Sequence, residues 1–330
     1  MNRTRITGIG HFVPDRVVTN FDLEKLMDTT NEWIIERTGI QERRWVEPGV
    51  GTSDLAVEAA KKALAMSGVN PKDVDLIIFA TLTSDYAFPG ASALVQKKMG
   101  MENIGAFDIT VACSAFIYGI SIGDQFIKTG QAETVLVIGA EIQSTGIDAS
   151  TRGRDMAVLF GDGAGAAVLQ KSDGESEILS THLHVDGHFI KELWAEVPTA
   201  LENPRISKKM LDEGRHYPQM NGREVFRNAV TRFPEVIKEA MDANGLNIDD
   251  VTLIIPHQAN LRITQMVAKR LKIGMDKVYS NIQRYGNTTG ASIPIAMSEA
   301  YEKKIFKKGD IIILAAFGAG FTWASAAIRW

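Results

Sequence analysis

The chain has 330 residues, enough for two domains of ordinary size or one large fused unit. Its 45% hydrophobic and 23% charged residues describe a globular protein, and a net charge of −4 gives no reason to expect nucleic acid. One cysteine excludes an internal disulfide framework, and no apolar run approaches the roughly 20 residues that span a bilayer.

The first residues, Met1-Asn-Arg-Thr-Arg-Ile-Thr-Gly, lack the apolar core of a signal peptide, so a reducing, cytoplasmic setting is expected. Gly8-Ile-Gly10 opens like a dinucleotide fingerprint, but no third glycine follows and the motif is rejected. Leu55, Ala59, Ala63 and Met66 fall at helical spacing over 53–67. A continuous apolar strand, Leu76–Ala80, comes next.

From Phe107 a β-prone run reaches Ala112 and Cys113, and a helix-like segment continues through Ile120, Ile122, Phe126 and Ile127. That order puts the sulfur at a strand-to-helix turn, where free amides and the helix dipole favour a thiolate. A small buried hydrophobe is the alternative role for a lone cysteine. A second buried strand covers 134–139. The glycines of Gly161-Asp-Gly-Ala-Gly165 lack the spacing of a nucleotide loop and suit close backbone packing.

Residues 171–224 are polar and irregular, as a linker with a covering insertion would be. His182, His184, Asp186 and His188 alternate, which suits either a metal set on one strand face or a solvated edge strand. A helix over 225–244 leads to the strand Leu253–Pro256 and then to His257-Gln-Ala-Asn260. Polar residues directly after a buried strand sit where open α/β sheets bind ligands. The strand 310–315 ends in the turn Gly318-Ala-Gly320, whose backbone amides can approach a reacting atom and form an oxyanion hole.

The chain also repeats itself. Gly68-Val-Asn-Pro-Lys-Asp-Val-Asp-Leu-Ile-Ile78 matches Gly245-Leu-Asn-Ile-Asp-Asp-Val-Thr-Leu-Ile-Ile255 at an offset of 245 − 68 = 177. The strand at 134 matches that at 310, an offset of 176. Buried strands alternating with helices predict two related α/β halves, over 1–172 and 173–330, with the insertion at about 186–221. Cys113 maps onto position 290, since 113 + 177 = 290, inside Gly286-Asn-Thr-Thr-Gly-Ala-Ser-Ile-Pro294. A pseudo-twofold axis would bring the two helix starts together and place Asn287 near Cys113.

These residues resemble the β-ketoacyl-acyl-carrier-protein synthase III family, the initiating condensing enzymes of type II fatty acid synthesis within the thiolase superfamily. The resemblance spans essentially the whole chain. It rests on Asn31-Glu-Trp-Ile-Ile-Glu-Arg-Thr-Gly-Ile40, Val111-Ala-Cys-Ser114, Phe160-Gly-Asp-Gly-Ala-Gly165, Pro256-His-Gln-Ala-Asn260, Tyr285-Gly-Asn-Thr288 and Phe317-Gly-Ala-Gly-Phe-Thr-Trp323. It implies a duplicated, five-layered αβαβα thiolase-like fold and a homodimer. The implied reaction is a decarboxylative condensation of an acyl-CoA with malonyl-ACP.

By the same resemblance Cys113 is the acyl-accepting nucleophile, and His257 and Asn287 bind the malonyl thioester carbonyl. The amides of Cys113 and Ala319 form the oxyanion hole. Trp33, Arg37 and Arg154 contact CoA, with Arg152 competing for the last role, while Phe226, Ala259 and Asn260 line the pantetheine tunnel. Phe88 and Phe317 shape the acyl pocket, with Phe88 reaching across the dimer. Arg262, Lys269 and Arg270 dock the acyl carrier protein. CoA is a substrate, so no cofactor or metal is expected. Gly318-Ala-Gly320 departs from the three glycines of many members, which bears on the acyl group used. A starter-unit ketosynthase or acyltransferase of a specialised pathway is the alternative, and a non-catalytic dimer partner a remote one.

Overall fold

The computed structural model describes residues 2–330. Nine long strands form two sheets. In the first sheet, β1 (Thr4–Phe12), β2 (Leu76–Ala80), β3 (Gly105–Ile109), β4 (Thr134–Glu141) and β5 (Gly163–Lys171) lie in the order β1-β5-β4-β2-β3. Strands β4, β2 and β3 run parallel, and β5 is antiparallel to both β4 and β1. In the second sheet, β6 (Glu177–Val185), β7 (Leu253–Pro256), β8 (Ile311–Gly318) and β9 (Thr322–Arg329) lie in the order β7-β8-β9-β6. Here β7 and β8 are parallel and the other pairs antiparallel.

The main helices are α1 (Asn31–Thr38), α2 (Thr52–Ser67), α3 (Ala91–Lys98), α4 (Ala115–Thr129), α5 (Gly222–Asp242), α6 (Leu261–Leu271) and α7 (Ser292–Glu302). Alternation along the buried strands explains their layering. Leu76 and Ile78 face an inner core with Phe116, Ile117 and Ile120 of α4 and Ile293, Ala296 and Met297 of α7. The same core takes Ile255, Leu314 and Ala316 from the second sheet. Ile77 and Phe79 face outward onto Leu55, Ala59 and Ala63 of α2 and Val95 of α3. On the far side Ile254, Ile313 and Phe317 pack on Val230, Phe233 and Ile237 of α5 and Val267 of α6. The result is five layers: α2/α3, sheet, α4/α7, sheet, α5/α6. Each fully buried Phe, Ile or Leu contributes about 1.5–3 kcal/mol, and Phe116, at 1% exposure in the central layer, is the kind of residue whose truncation to Ala costs about 3–5 kcal/mol.

The repeat is tighter than the sequence match. Strands β4 and β8 correspond at 177 at both ends, 134 to 311 and 141 to 318, so Asp310 precedes the strand and the 176 offset is corrected. Helices α4 and α7 begin at 115 and 292, again 177 apart. Strand β3 ends at Ile109 rather than at Cys113. At 38% exposure, Met66 in the last turn of α2 is not part of its buried face, although its sulfur accepts the Ile9 amide of β1 at 3.4 Å. Helix α5 runs Gly222–Asp242, earlier at both ends than the expected 225–244, because Asn221 caps its first turn.

The segment 186–221 is not structureless. Leu193 and Trp194 pair antiparallel with Met220 and Gln219, and Arg215 bonds Glu196 at 2.5 Å and Glu202 at 2.6 Å. Leu193 and Met220 pack against the small cap that also contains Trp33, Ile34 and Trp45. His182 and His184 both reach Glu239, at 3.3 and 2.7 Å, while His188 pairs with Asp186. Among the described residues no group of three His, Cys, Asp or Glu side chains is arranged to hold a metal, and no helix is long and apolar enough to cross a membrane.

Candidate active site

Cys113 lies in a one-turn 3-10 segment, Ala112–Ser114, that feeds directly into α4. Ala112 adopts φ 45°, in the left-handed region that non-glycine residues seldom occupy. This reverses the chain after β3. The sulfur packs over Gly318 at the end of β8: a Cβ there would lie 2.6 Å from the Cys113 Cβ and 3.0 Å from Sγ. Glycine is required at 318 for this approach. The amides of Ala319 and Cys113 lie close enough to the sulfur to favour its anion. Thr322 Oγ1 lies 3.1 Å from both Ser114 Oγ and the Ala319 carbonyl, tying the two turns together.

Burial and the negative charge of Glu141 push the Cys113 thiol up to about 12, against the pull of the two amides. The thiolate expected from a helix start is therefore not the resting form. Desolvation of the anion outweighs two backbone donors.

His257 follows β7 and its amide bonds the Ala315 carbonyl at 2.8 Å. Its Nδ1 lies 2.6 Å from Ser292 Oγ at the start of α7. Ser292 Oγ accepts the Gln258 amide at 3.4 Å, so its own proton is free for Nδ1. When Ser292 donates that proton to Nδ1, Nε2 is the nitrogen that carries the ring N–H. Nε2 is buried without a partner, a donor ready for a carbonyl oxygen. Burial pulls the imidazole down to about 3, keeping it neutral.

Asn287 is buried in the turn before α7. Its backbone bridges to Phe160, with Asn287 N donating to Leu159 O at 2.8 Å and Gly161 N to Asn287 O at 3.1 Å. Its Oδ1 accepts the Thr289 amide at 2.8 Å, which leaves the side-chain NH2 as the group available to a ligand. The turn Thr289–Ala291 packs on the turn Ala112–Ser114, so Asn287 and Cys113 belong to adjoining segments from the two halves.

Two guanidinium groups lie over the Trp33 ring, Arg37 4.7 Å and Arg154 4.8 Å from its centroid. Arg152 turns away, bonding Asp148 at 2.5 Å and lying over Tyr217 of the insertion at 5.6 Å. Asn260 caps α6 through the Arg262 amide at 2.9 Å and donates to the Arg37 carbonyl at 2.9 Å. Both ends of its side chain are engaged in structure. Ala259 lies in the same loop, its amide on the His257 carbonyl. Phe226 is half-buried on α5. Arg262, Lys269 and Arg270 are exposed on α6, where Arg270 reaches Thr231 at 3.3 Å. Of the two residues expected to shape an acyl pocket, Phe317 is buried against Phe321 and Phe233, and Phe88, expected to act across a dimer, is 86% exposed.

Sequence reasoning missed three groups here. Ser292 orients His257, and Gln143 donates to Thr289 Oγ1 at 2.9 Å. Glu141, fully buried at the end of β4, is the third. The repeat carried the only available signal for it, since 141 + 177 = 318 pairs it with the glycine beneath Cys113.

Residues 241–330 match the family described as 3-oxoacyl-[acyl-carrier-protein (ACP)] synthase III C terminal, and residues 107–187 match 3-oxoacyl-[acyl-carrier-protein (ACP)] synthase III. The beta-ketoacyl-[acyl-carrier-protein] synthase III of Caldanaerobacter subterraneus subsp. tengcongensis is 47% identical over 98% of this chain and 97% of its own. The crystal structure of the 3-oxoacyl-[acyl-carrier-protein] synthase III from Aquifex aeolicus VF5 superposes with TM-score 0.91 at 43% identity, covering 99% of this chain and 100% of that one. The priming beta-ketosynthase from the R1128 polyketide biosynthetic pathway shares the fold at 31% identity and TM-score 0.90, covering 99% of this chain and 96% of that one.

Proposed function

The chain belongs to the 3-oxoacyl-[acyl-carrier-protein] synthase III family, and from that premise we propose that Cys113, His257 and Asn287 carry its condensation reaction. The enzyme is an acyltransferase that joins an acyl-CoA primer to malonyl-ACP, releasing CoA and CO2 and initiating fatty acid synthesis. The observation that supports the site assignment is the packing of Cys113, from the first half, directly on Gly318 at the strand end of the second, which brings the Ala319 turn to the sulfur.

In this reading the Cys113 sulfur attacks the primer thioester and CoA leaves with the proton. The amides of Cys113 and Ala319 hold the oxyanion. Malonyl-ACP follows. Its thioester carbonyl accepts hydrogen bonds from His257 Nε2 and the Asn287 NH2, which stabilise the enolate formed as CO2 departs. The enolate carbon then attacks the acyl-cysteine and frees the sulfur. A neutral His257 suits this role, because it donates one N–H without burying a cation.

Trp33, with Arg37 and Arg154 over its ring, is the proposed seat of the CoA nucleotide. Phe226, Ala259 and Asn260 flank the way in, Asn260 chiefly by fixing the loop. The exposed Arg262, Lys269 and Arg270 are proposed to dock the acidic carrier protein. A homodimer accounts for two further features: β3 is the edge of its sheet, with Gly105 and Ala106 exposed, and the loop between β2 and α3 projects Phe88 and Tyr86. Phe88 would then close the partner's acyl pocket. We place the enzyme in the cytoplasm, where its one cysteine stays reduced, and take the primer to be acetyl-CoA or another short acyl-CoA.

Intact-protein mass spectrometry after brief incubation with acyl-CoAs of increasing length, with Cys113→Ser as control, tests the assignment. Loading of short groups onto Cys113, discharged by malonyl-ACP, is expected. Loading only by long groups moves the enzyme to a specialised pathway, and no loading overturns the site.

A further inference from the structure

We propose that Glu141 is a positioning residue for the condensation step, its carboxylate clamping the Asn287-bearing turn onto the half of the protein that carries Cys113. The proposal rests on the functional reading above.

Glu141 is fully buried at the end of β4 and forms no ion pair among the described residues. Its carboxylate accepts the Leu82 amide at 3.1 Å, Thr83 Oγ1 at 2.6 Å and Thr81 Oγ1 at 3.3 Å, all from the loop after β2. The turn of Gly290, from the other half of the chain, lies against it, with the Gly290 amide favouring its charged form. The groups that face it are therefore four neutral donors and, at longer range, the Cys113 thiol. Burial raises this carboxyl to about 7. An uncompensated buried carboxylate is costly, and here its charge also opposes formation of the Cys113 thiolate.

The repeat shows what the carboxylate does. Position 113 corresponds to 290 and position 141 to 318, each 177 apart. On one side of the pseudo-twofold axis the helix start carries the side chain, Cys113, and the strand end is bare at Gly318. On the other side the helix start is bare at Gly290, and the strand end carries Glu141. A Cβ at 290 would lie 3.4 Å from Glu141 Oε1. Gly290 is thus the symmetry mate of the nucleophile, and Glu141 covers it from the strand end as Cys113 covers Gly318 from the helix start. Glu141 bears on Gly290, three residues beyond Asn287, in a turn already gripped by Gln143 through Thr289 Oγ1. Losing this clamp frees the turn that aims the Asn287 NH2, while the Cys113–Gly318 pair is untouched.

Two variants test the proposal. Glu141→Leu removes the acceptor and the charge, and Glu141→Gln removes the charge but keeps an acceptor. Three readouts are taken: single-turnover loading of Cys113 by acyl-CoA, kcat for condensation with malonyl-ACP, and the pH profile of Cys113 alkylation by iodoacetamide. In Glu141→Leu, loading is expected within about 3-fold of wild type and kcat down about 10–100-fold, the loss expected of a displaced donor. In Glu141→Gln most of kcat returns. In both, alkylation shifts to lower pH, since the opposing charge is gone; a merely structural role would not move that profile. An unchanged kcat in Glu141→Leu, equal loss of loading and condensation in both variants, or an unmoved alkylation profile overturns the proposal. Wild-type protein that loads no acyl group at Cys113 overturns the functional reading and this proposal with it.

Discussion

Ala112 and Thr289, 177 residues apart, hold the same left-handed backbone, with φ of 45° and 49°. Each opens a one-turn 3-10 segment that becomes a central helix, α4 or α7. For residues with a Cβ this conformation costs roughly 1–2 kcal/mol, so it persists only where the surroundings enforce it. Here the enforcement is mutual: the turns pack on each other, and the strand ends Glu141 and Gly318 lie against them.

The Cys113–Gly318 contact leaves no room for a methyl group. Gly318→Ala is expected to fold with a loss of about 1–3 kcal/mol from overpacking, and to load acyl groups at least 100-fold more slowly. Denaturant unfolding and single-turnover acylation measure the two. Loading at the wild-type rate would mean the sulfur does not pack as described.

In the proposed mechanism His257 and Asn287 donate to the second substrate, not the first. His257→Ala and Asn287→Ala should therefore load Cys113 normally yet condense about 10²–10³-fold more slowly, the usual cost of one lost oxyanion donor. Parallel assays of acylation and of CO2 release separate these steps.

The neutral His257 predicts a pH dependence of stability. Its folded pKa, about 3, lies below the ordinary 6.5, so the unfolded chain takes up a proton that the folded chain refuses. The resulting stabilisation is present above pH 6.5 and is lost as pH falls from 6.5 toward 3. Denaturant titrations of wild type and His257→Gln between pH 7.5 and about 5 should show a steeper decline in wild type, by roughly 1–2 kcal/mol.

Trp33→Ala removes the face on which a purine would stack, a loss of about 1–3 kcal/mol. KM for acyl-CoA should rise roughly 5–100-fold with little change in kcat. Arg154→Ala should give a smaller rise in the same direction, and Arg152→Ala none, because Arg152 is committed to Asp148 and Tyr217.

The proposed docking through α6 is electrostatic and exposed. Arg262→Glu, alone and with Lys269→Glu and Arg270→Glu, should raise KM for malonyl-ACP about 3-fold and more than 10-fold respectively. Added salt should narrow the difference. A salt-independent KM in wild type would exclude this surface.

The sequence by itself determined the α/β class, the duplicated strands and helices, and the residues that meet at the site. These are written locally: apolar runs bounded by turns, a cysteine at a helix start, and polar residues just beyond a buried strand. The offset of 177 even related Cys113 to the segment bearing Asn287. Tertiary structure alone decided what depends on distant neighbours. It sent Arg154 rather than Arg152 to Trp33, because the insertion holds Arg152 through Tyr217. It left the Cys113 thiol protonated at rest and placed Glu141 against the Gly290 turn. Burial and desolvation are set by what packs from the other half of the chain, and no local pattern of residues records that.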